Sequence, residues 1–240
     1  MGTELVLVHS PLTGPSVWWP LAGELRGAGQ DVLVPLLEED GDPGAPLWRR
    51  HAAAVAEALG DGPYALVGHG GAGPLLPAIA AAGGRRPTAY VFVDAGLPAG
   101  GRTRLELLAD RLPEEAVRLR AHLEAGGRFP DWTSEGLEAE IPDRAWRFRV
   151  VSELRPRPLA YFTETIALPA GWPDAPCGFL RFSSAYEDAA RRARALGWAC
   201  EELPGSHFQL LVEPGRAAQV LLRLIGRLDR RQRPRRRRRT

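Results

Sequence analysis

The chain contains no lysine: all 31 of its basic side chains are arginine. Beside abundant alanine, glycine and proline, this marks a GC-rich, bacterial type of coding sequence and carries little chemistry. Cysteine is nearly absent too. Two residues, Cys177 and Cys200, cannot build a zinc site by themselves. In a reducing compartment they are not expected to form a structural disulfide, so they read as buried free thiols, and no metal or other cofactor is expected. No apolar run approaches the roughly 18–20 residues that a membrane span requires. The amino terminus, MGTELVLVHS, has neither a basic start nor a small-residue cleavage site, which predicts a cytoplasmic protein with no export signal.

What is present suits one domain with a full core: 240 residues, of which 45% are hydrophobic and 25% charged. The formal net charge of +2 hides a strong asymmetry. Eight arginines fall within residues 230–240, leaving 23 basic against 29 acidic side chains, a net of −6, in residues 1–229. A basic tail of this kind can neutralise nucleic acid or an anionic membrane. This one has no interleaved aromatic residues and no helical periodicity, so it predicts a solvated, disordered extension with no specific nucleic-acid or membrane partner.

Along residues 1–229 apolar runs alternate with helical patterns. Residues 4–8, 31–36, 64–67, 90–93, 178–182 and 199–203 read as short strands rich in Val, Leu and aromatic residues. Between them, apolar positions such as Trp18, Leu21, Ala22 and Leu25 recur at helical spacing, and Gly29 ends that pattern. Further helices are expected over about 47–59, 189–196 and 214–228. Strand and helix in alternation imply a mostly parallel sheet covered on both faces, an α/β fold. Residues 102–168 break the pattern with charged amphipathic segments and read as a helical insertion into that scaffold.

The third strand runs directly into Gly68-His69-Gly70-Gly71-Ala72-Gly73 and then a small-residue helix. This resembles the nucleophile turn of the α/β-hydrolase superfamily, G-H-S-x-G-G or G-H-S-x-A-G, at every position but one: Gly70 stands where the family carries serine. Three further segments resemble the family in the right order. They are His9-Ser10-Pro11 at the oxyanion loop, Phe92-Val93-Asp94-Ala95-Gly96 at the following strand end, and Gly205-Ser206-His207 before the last helix. The insertion at 102–168 occupies the slot of the family's lid. The resemblance thus implies an α/β-hydrolase fold with a helical lid.

It also implies roles. Without a side-chain oxygen or sulfur, Gly70 cannot form an acyl-enzyme. Ser10, Ser183, Ser184 and Ser206 lie near strand ends, but none sits on a turn that exposes it as a nucleophile. The oxyanion donors should be the Gly71 N–H and an N–H from the first loop, where Pro11 has none and Leu12 lies one residue on. His207 is the expected base, with Asp188 or Glu187 after the fifth strand as its partner and Asp94 as a second candidate. His69 is expected to support the turn, and Trp18 to flank an apolar pocket. These features imply a small-molecule or peptide substrate and a non-hydrolytic reaction at a carbonyl, such as epimerisation, elimination or cyclisation. In lacking the serine the chain is similar to the atypical hydrolase-fold epimerase of bottromycin biosynthesis. A ligand-binding pseudoenzyme and a hydrolase using His-activated water are the competing expectations.

Overall fold

The first five residues of regular structure set the plan. In strand β1 (Glu4–Val8) Leu5 and Leu7 point to one side and Val6 and Val8 to the other, and all four are buried. A strand buried on both faces needs a helical layer on each. The computed structural model, which describes residues 2–232, supplies both. Strands β2 (Val32–Leu33), β3 (Tyr64–Gly70), β4 (Ala89–Ala95), β5 (Cys177–Arg181) and β6 (Ala199–Glu202) join β1 in one sheet of order β2-β1-β3-β4-β5-β6, every pair parallel.

On the Leu5/Leu7 face, α1 (Trp19–Gly27) packs against the last helix, with Leu21 and Leu25 meeting Leu221 and Leu224 above Val67, Val91 and Leu180. The opposite face is covered by α2 (Leu47–Glu57) and α3 (Leu76–Ala82), with Val55, Leu76 and Ile79 over Val8, Leu66 and Phe92. Between β4 and β5 the chain makes an excursion of four helices: α4 (Arg104–Ala109), α5 (Pro113–Glu124), α6 (Arg144–Ser152) and α7 (Leu159–Thr163). A capping box starts α4, Thr103 and Glu106 each satisfying the other's backbone N–H. Leu105, Leu123, Tyr161 and Phe162 form this excursion's own small core. Helices α8 (Glu187–Ala195), α9 (Gln209–Val212) and α10 (Pro214–Gln232) are the last among the described residues.

Two expectations change. The second strand is only two residues long, not six, because Pro35 has no N–H to continue the ladder and the acidic, Gly/Pro-rich loop begins there. Helix α10 runs to Gln232, past the expected boundary at 229, and the rest of the expected tail lies outside the described residues. No disulfide links Cys177 and Cys200, and burial pushes the Cys177 thiol up to about 12. No helix among the described residues is long and apolar enough to cross a membrane.

The turn after β3 allows a sharp stability test. A Cβ on Gly73 would lie 2.1 Å from the Gly96 carbonyl oxygen, whereas one on Gly23, inside α1, meets nothing within 4 Å. Gly73→Ala should therefore lower stability by about 2 kcal/mol or more through overpacking against backbone. Gly23→Ala should raise it by about 0.5–1 kcal/mol through helix propensity. Thermal melts of the two variants check the contrast, and equal melting temperatures would contradict the packing described.

Candidate active site

The site is assembled where β3, β4 and β5 end. Strand β3 finishes at Gly70, whose φ of +57° places it in the left-handed region that L side chains rarely adopt. The Ala72 N–H closes the turn on the His69 carbonyl, and a 3-10 turn at Gly73–Leu75 leads into α3. The strained corner is present without a side chain on it. An ideal Cβ at Gly70 would lie 3.1 Å from Nε2 of His207 and 3.9 Å from Cβ of Ser10, so the open space left by glycine is bounded by a base and a hydroxyl residue.

His207 follows β6 on the loop Gly205-Ser206-His207. Its Nδ1 lies 2.8 Å from Oδ2 of Asp94. A carboxylate can only accept, so Nδ1 donates to it, and Nε2 is the ring nitrogen directed at the space above Gly70, with a lone pair whenever the imidazole is neutral. Asp94 is fully buried and has a φ of +41°. The β3–β4 register shifts at this point: His69 pairs with Val93 but Gly70 pairs with Ala95, so Asp94 is a bulge. Bulges re-aim a side chain, and this one turns a carboxylate toward β5. There Oδ1 accepts from the N–H groups of Phe182 (2.8 Å) and Ser183 (2.9 Å), and Oδ2 also accepts from the Ser183 hydroxyl (2.7 Å). Burial pushes the Asp94 carboxyl up, but its hydrogen bonds to His207, Ser183 and Phe182 outweigh that and hold it below the usual carboxylate range.

Asp94, not Asp188 or Glu187, is therefore the partner of His207. Asp188 and Glu187 open α8, where acids suit the helix dipole, and pair with Arg191 and Arg181 respectively. Asp188 still lines the cavity. Ser183 stands where the sequence placed the acid, and it holds Asp94 instead.

The imidazole of His207 is clamped between two rings. His69 stacks beneath it at 4.3 Å and 20°, and Tyr186 stacks against it at 5.3 Å and 20°. His69 is buried, and its Nε2 donates to the His207 carbonyl at 2.9 Å. Burial, then the neighbouring His207, push His69 down to about 3, so it stays neutral. Trp18 is fully buried in the core, edge-on to His69 at 5.8 Å, and does not line the cavity. The lid contributes Glu140, whose Oε2 accepts the His207 N–H (3.2 Å) and whose carbonyl accepts the Ser206 hydroxyl (2.8 Å). Nothing in the sequence pattern marked Glu140 or Tyr186, since both act through long-range contacts.

The first loop does not supply the expected second N–H, for that of Leu12 is spent on Ser10 Oγ and there is none on Pro11. The Pro11 carbonyl accepts from Nε and Nη2 of Arg157, which turns it away from the cavity. The N–H of the same peptide, on Leu12, points to Ser10 Oγ at 3.2 Å. Because that oxygen accepts from Leu12, the Ser10 hydroxyl proton is free for another acceptor. Ser10 makes no hydrogen bond to His207, and a Cβ on Gly71 would come within 2.9 Å of its Oγ. The Gly71 N–H is unclaimed among the described residues. Ser183 and Ser206 spend their hydroxyls on Asp94 and Glu140.

These groups open into a cavity of about 800 Å³, large enough for a ligand of ten or more heavy atoms. Leu97, Leu107, Leu119, Phe129, Trp132 and Phe162 give it an apolar wall. Among the described residues no three His, Cys, Asp or Glu side chains converge to hold a metal ion.

A parallel sheet with a corner after its third strand, a histidine after its last and a helical excursion over both has a known counterpart. The chain has the α/β-hydrolase fold. It is similar to an extracellular α/β-hydrolase from a Paenibacillus species, described as structurally and functionally homologous to tobacco salicylic acid binding protein 2. The two are 20% identical over 93% of this chain and 99% of that one, with a TM-score of 0.73. Tomato methylketone synthase I is similar at 14% identity over 95% and 98% of the two chains, TM-score 0.70, in a histidine-to-alanine variant complexed with β-ketoheptanoate. The same synthase complexed with 2-tridecanone is 16% identical over 95% and 99%, TM-score 0.68. Polyneuridine aldehyde esterase is 16% identical over 94% and 100%, TM-score 0.67. No family model and no curated protein sequence matches the chain. At these identities the likeness establishes the fold and leaves the chemistry to the residues.

Three buried histidines give the site's scaffold a definite pH dependence. Burial pushes His9 and His51 down to about 4 and His69 down to about 3, from an ordinary 6.5. The unfolded chain therefore binds more protons than the folded one below pH 6.5, and stability falls as pH drops from there toward 4. Thermal melts should show a plateau above about pH 7 and a steady fall beneath it. A melting temperature constant from pH 7 to pH 4 would mean that these imidazoles are charged in the fold.

Proposed function

We propose that this protein is a non-hydrolytic enzyme that removes a proton from the carbon next to a carbonyl group of a small-to-medium substrate held under the lid. The observation that carries this reading is the bare Nε2 of His207, backed by buried Asp94, facing a corner whose nucleophile position is glycine. In the reaction Nε2 accepts the proton from the α-carbon, and the C–H electron pair moves into the C–C bond as the carbonyl becomes an enolate. Asp94 stabilises the imidazolium that results. The enolate oxygen is met by the Gly71 N–H and the Ser10 hydroxyl, two donors available without rearrangement. Delivery of a proton from water to the opposite face, with Nε2 then releasing its own proton to solvent, gives an epimer; loss of a β-substituent or attack on a second carbonyl gives elimination or cyclisation.

Glycine at the corner supports this chemistry physically. A serine there would fill the space a substrate α-carbon needs to approach Nε2. Ser10, the hydroxyl left nearest the corner, has no hydrogen bond to the base that would make it a nucleophile. The tomato synthase complexed with a β-keto acid and with a methyl ketone supports the view that cavities on this fold take carbonyl compounds.

In deuterium oxide, NMR of a ketone panel should reveal exchange at an α-carbon. His207→Ala should slow that exchange by roughly 10²-fold or more while the fold persists, and Asp94→Asn should slow it comparably by spoiling the imidazole tautomer. The wild-type protein should show no burst with aryl esters and no labelling by fluorophosphonates. Stoichiometric labelling of a serine, or exchange that survives His207→Ala, would sink the proposal. Gly70→Ser should fold with a lower melting temperature, from both its positive φ and its 3.1 Å approach to His207, and should block exchange.

A further inference from the structure

The cavity wall carries more positive charge than the body around it. Five arginines and two aspartates line it, although residues 1–229 are net acidic. Both aspartates are already matched: Asp110 by Arg102 at 2.6 Å and Asp188 by Arg191. Arg104 lies 3.6 Å from Glu164. That leaves Arg111, on the turn between α4 and α5, and Arg192, on α8, with no carboxylate within 4 Å among the described residues. Both line the same cavity. The Asp110 carboxyl, one residue before Arg111, is held low chiefly by Arg102 and in part by Arg192.

Arg111 is also tied to the base. Its guanidinium donates to the Ala185 carbonyl at 2.9 Å and lies over the Tyr186 ring at 4.8 Å, and that ring stacks on His207 at 5.3 Å. The guanidinium is thus preorganised by a cation–π contact and lies no further from the imidazole than the two separations together. Guanidinium groups present paired N–H donors that match the two oxygens of a carboxylate or phosphate. The same cavity is also lined by Leu107, Leu119, Phe129 and Phe162. An amphipathic ligand fits this division, its apolar part among those side chains and its oxyanion at the arginines.

We propose that Arg111 and Arg192 form an oxyanion subsite, so that the substrate is a carbonyl compound bearing a carboxylate or phosphate a few bonds from its reacting carbon. The carbonyl part of this statement rests on the function proposed above; the oxyanion part does not.

The test is binding of decanoate, decyl phosphate and methyl decanoate, followed by calorimetry or by the fluorescence of Trp132, which lines the cavity. At least one of the two anions should bind about tenfold more tightly than the neutral ester, and the better anion identifies which oxyanion the subsite takes. Raising the salt concentration should narrow the gap, as befits a charge interaction near solvent. The double variant Arg111→Gln/Arg192→Gln should abolish the preference while changing ester binding less than about twofold, because the apolar wall is untouched. Replacing both by lysine should recover part of it. Equal binding of ester and both anions by the wild type, or a preference that survives the double glutamine variant, would overturn the subsite. The readout is independent of proton transfer: a His207→Ala protein that still prefers the anion keeps the subsite even where the wild type exchanges no α-proton.

Discussion

Everything at the top of this sheet hangs on one buried carboxylate. Asp94 leaves the regular ladder as a bulge at positive φ, and from there its two oxygens accept four hydrogen bonds from three residues. Two come from the backbone at the end of β5, one from the Ser183 hydroxyl and one from His207. An ionised group with no exposure to water is tolerable only when every lone pair is engaged in this way. The same contacts fix the gap between β4 and β5, the imidazole tautomer and the direction of the free nitrogen. Structural and chemical demands on Asp94 are therefore the same demand.

The second constraint is what lies beneath and above the imidazole. His69 cannot charge at ordinary pH because burial forbids it, so it supports His207 as a flat neutral surface rather than as a competing base. Tyr186 closes the other face, and Glu140 from the lid holds the His207 backbone. A ring held on both faces, at its backbone and at Nδ1 has little rotational freedom left. Preorganisation of this kind matters most when catalysis depends on positioning rather than on a covalent intermediate.

How much of this the sequence disclosed depended on the range of the contact involved. The continuous apolar run of β1, the glycine turn after β3 and the histidine before the last helices are local patterns, and each could be read directly. The expectation of an acid after β5 failed for a physical reason: Glu187 and Asp188 have the right chemistry, but they belong to a helix start and face their own arginines. Asp94 carried only a weak signal, an acid at the end of an otherwise apolar strand. Its bulge and its four donors come from three strand ends that meet only in the folded chain. Trp18 was misplaced for the opposite reason, since a large aromatic ring near the first loop suits a pocket as well as it suits a core. Packing against His69 decides for the core.

The absence of one hydroxymethyl group changes what the remaining parts are good for. With serine at the corner, Nε2 would be spent on a hydroxyl and the oxyanion donors on an acyl carbonyl. With glycine, the same nitrogen is left unclaimed, and the neighbouring Ser10 hydroxyl has its proton available because its oxygen already accepts from Leu12. The Arg157 clamp on the Pro11 carbonyl enforces that arrangement, for a planar peptide must turn its Leu12 N–H opposite to the carbonyl it holds. Arg157 in turn pairs with Glu39 at 2.5 Å, tying the excursion between β4 and β5 to the loop after β2. The excursion thus holds the Ser10 loop through Arg157 and the His207 backbone through Glu140, while the Gly71 N–H is set by the turn after β3. Base and donors thereby bear on the same small volume at the end of β3.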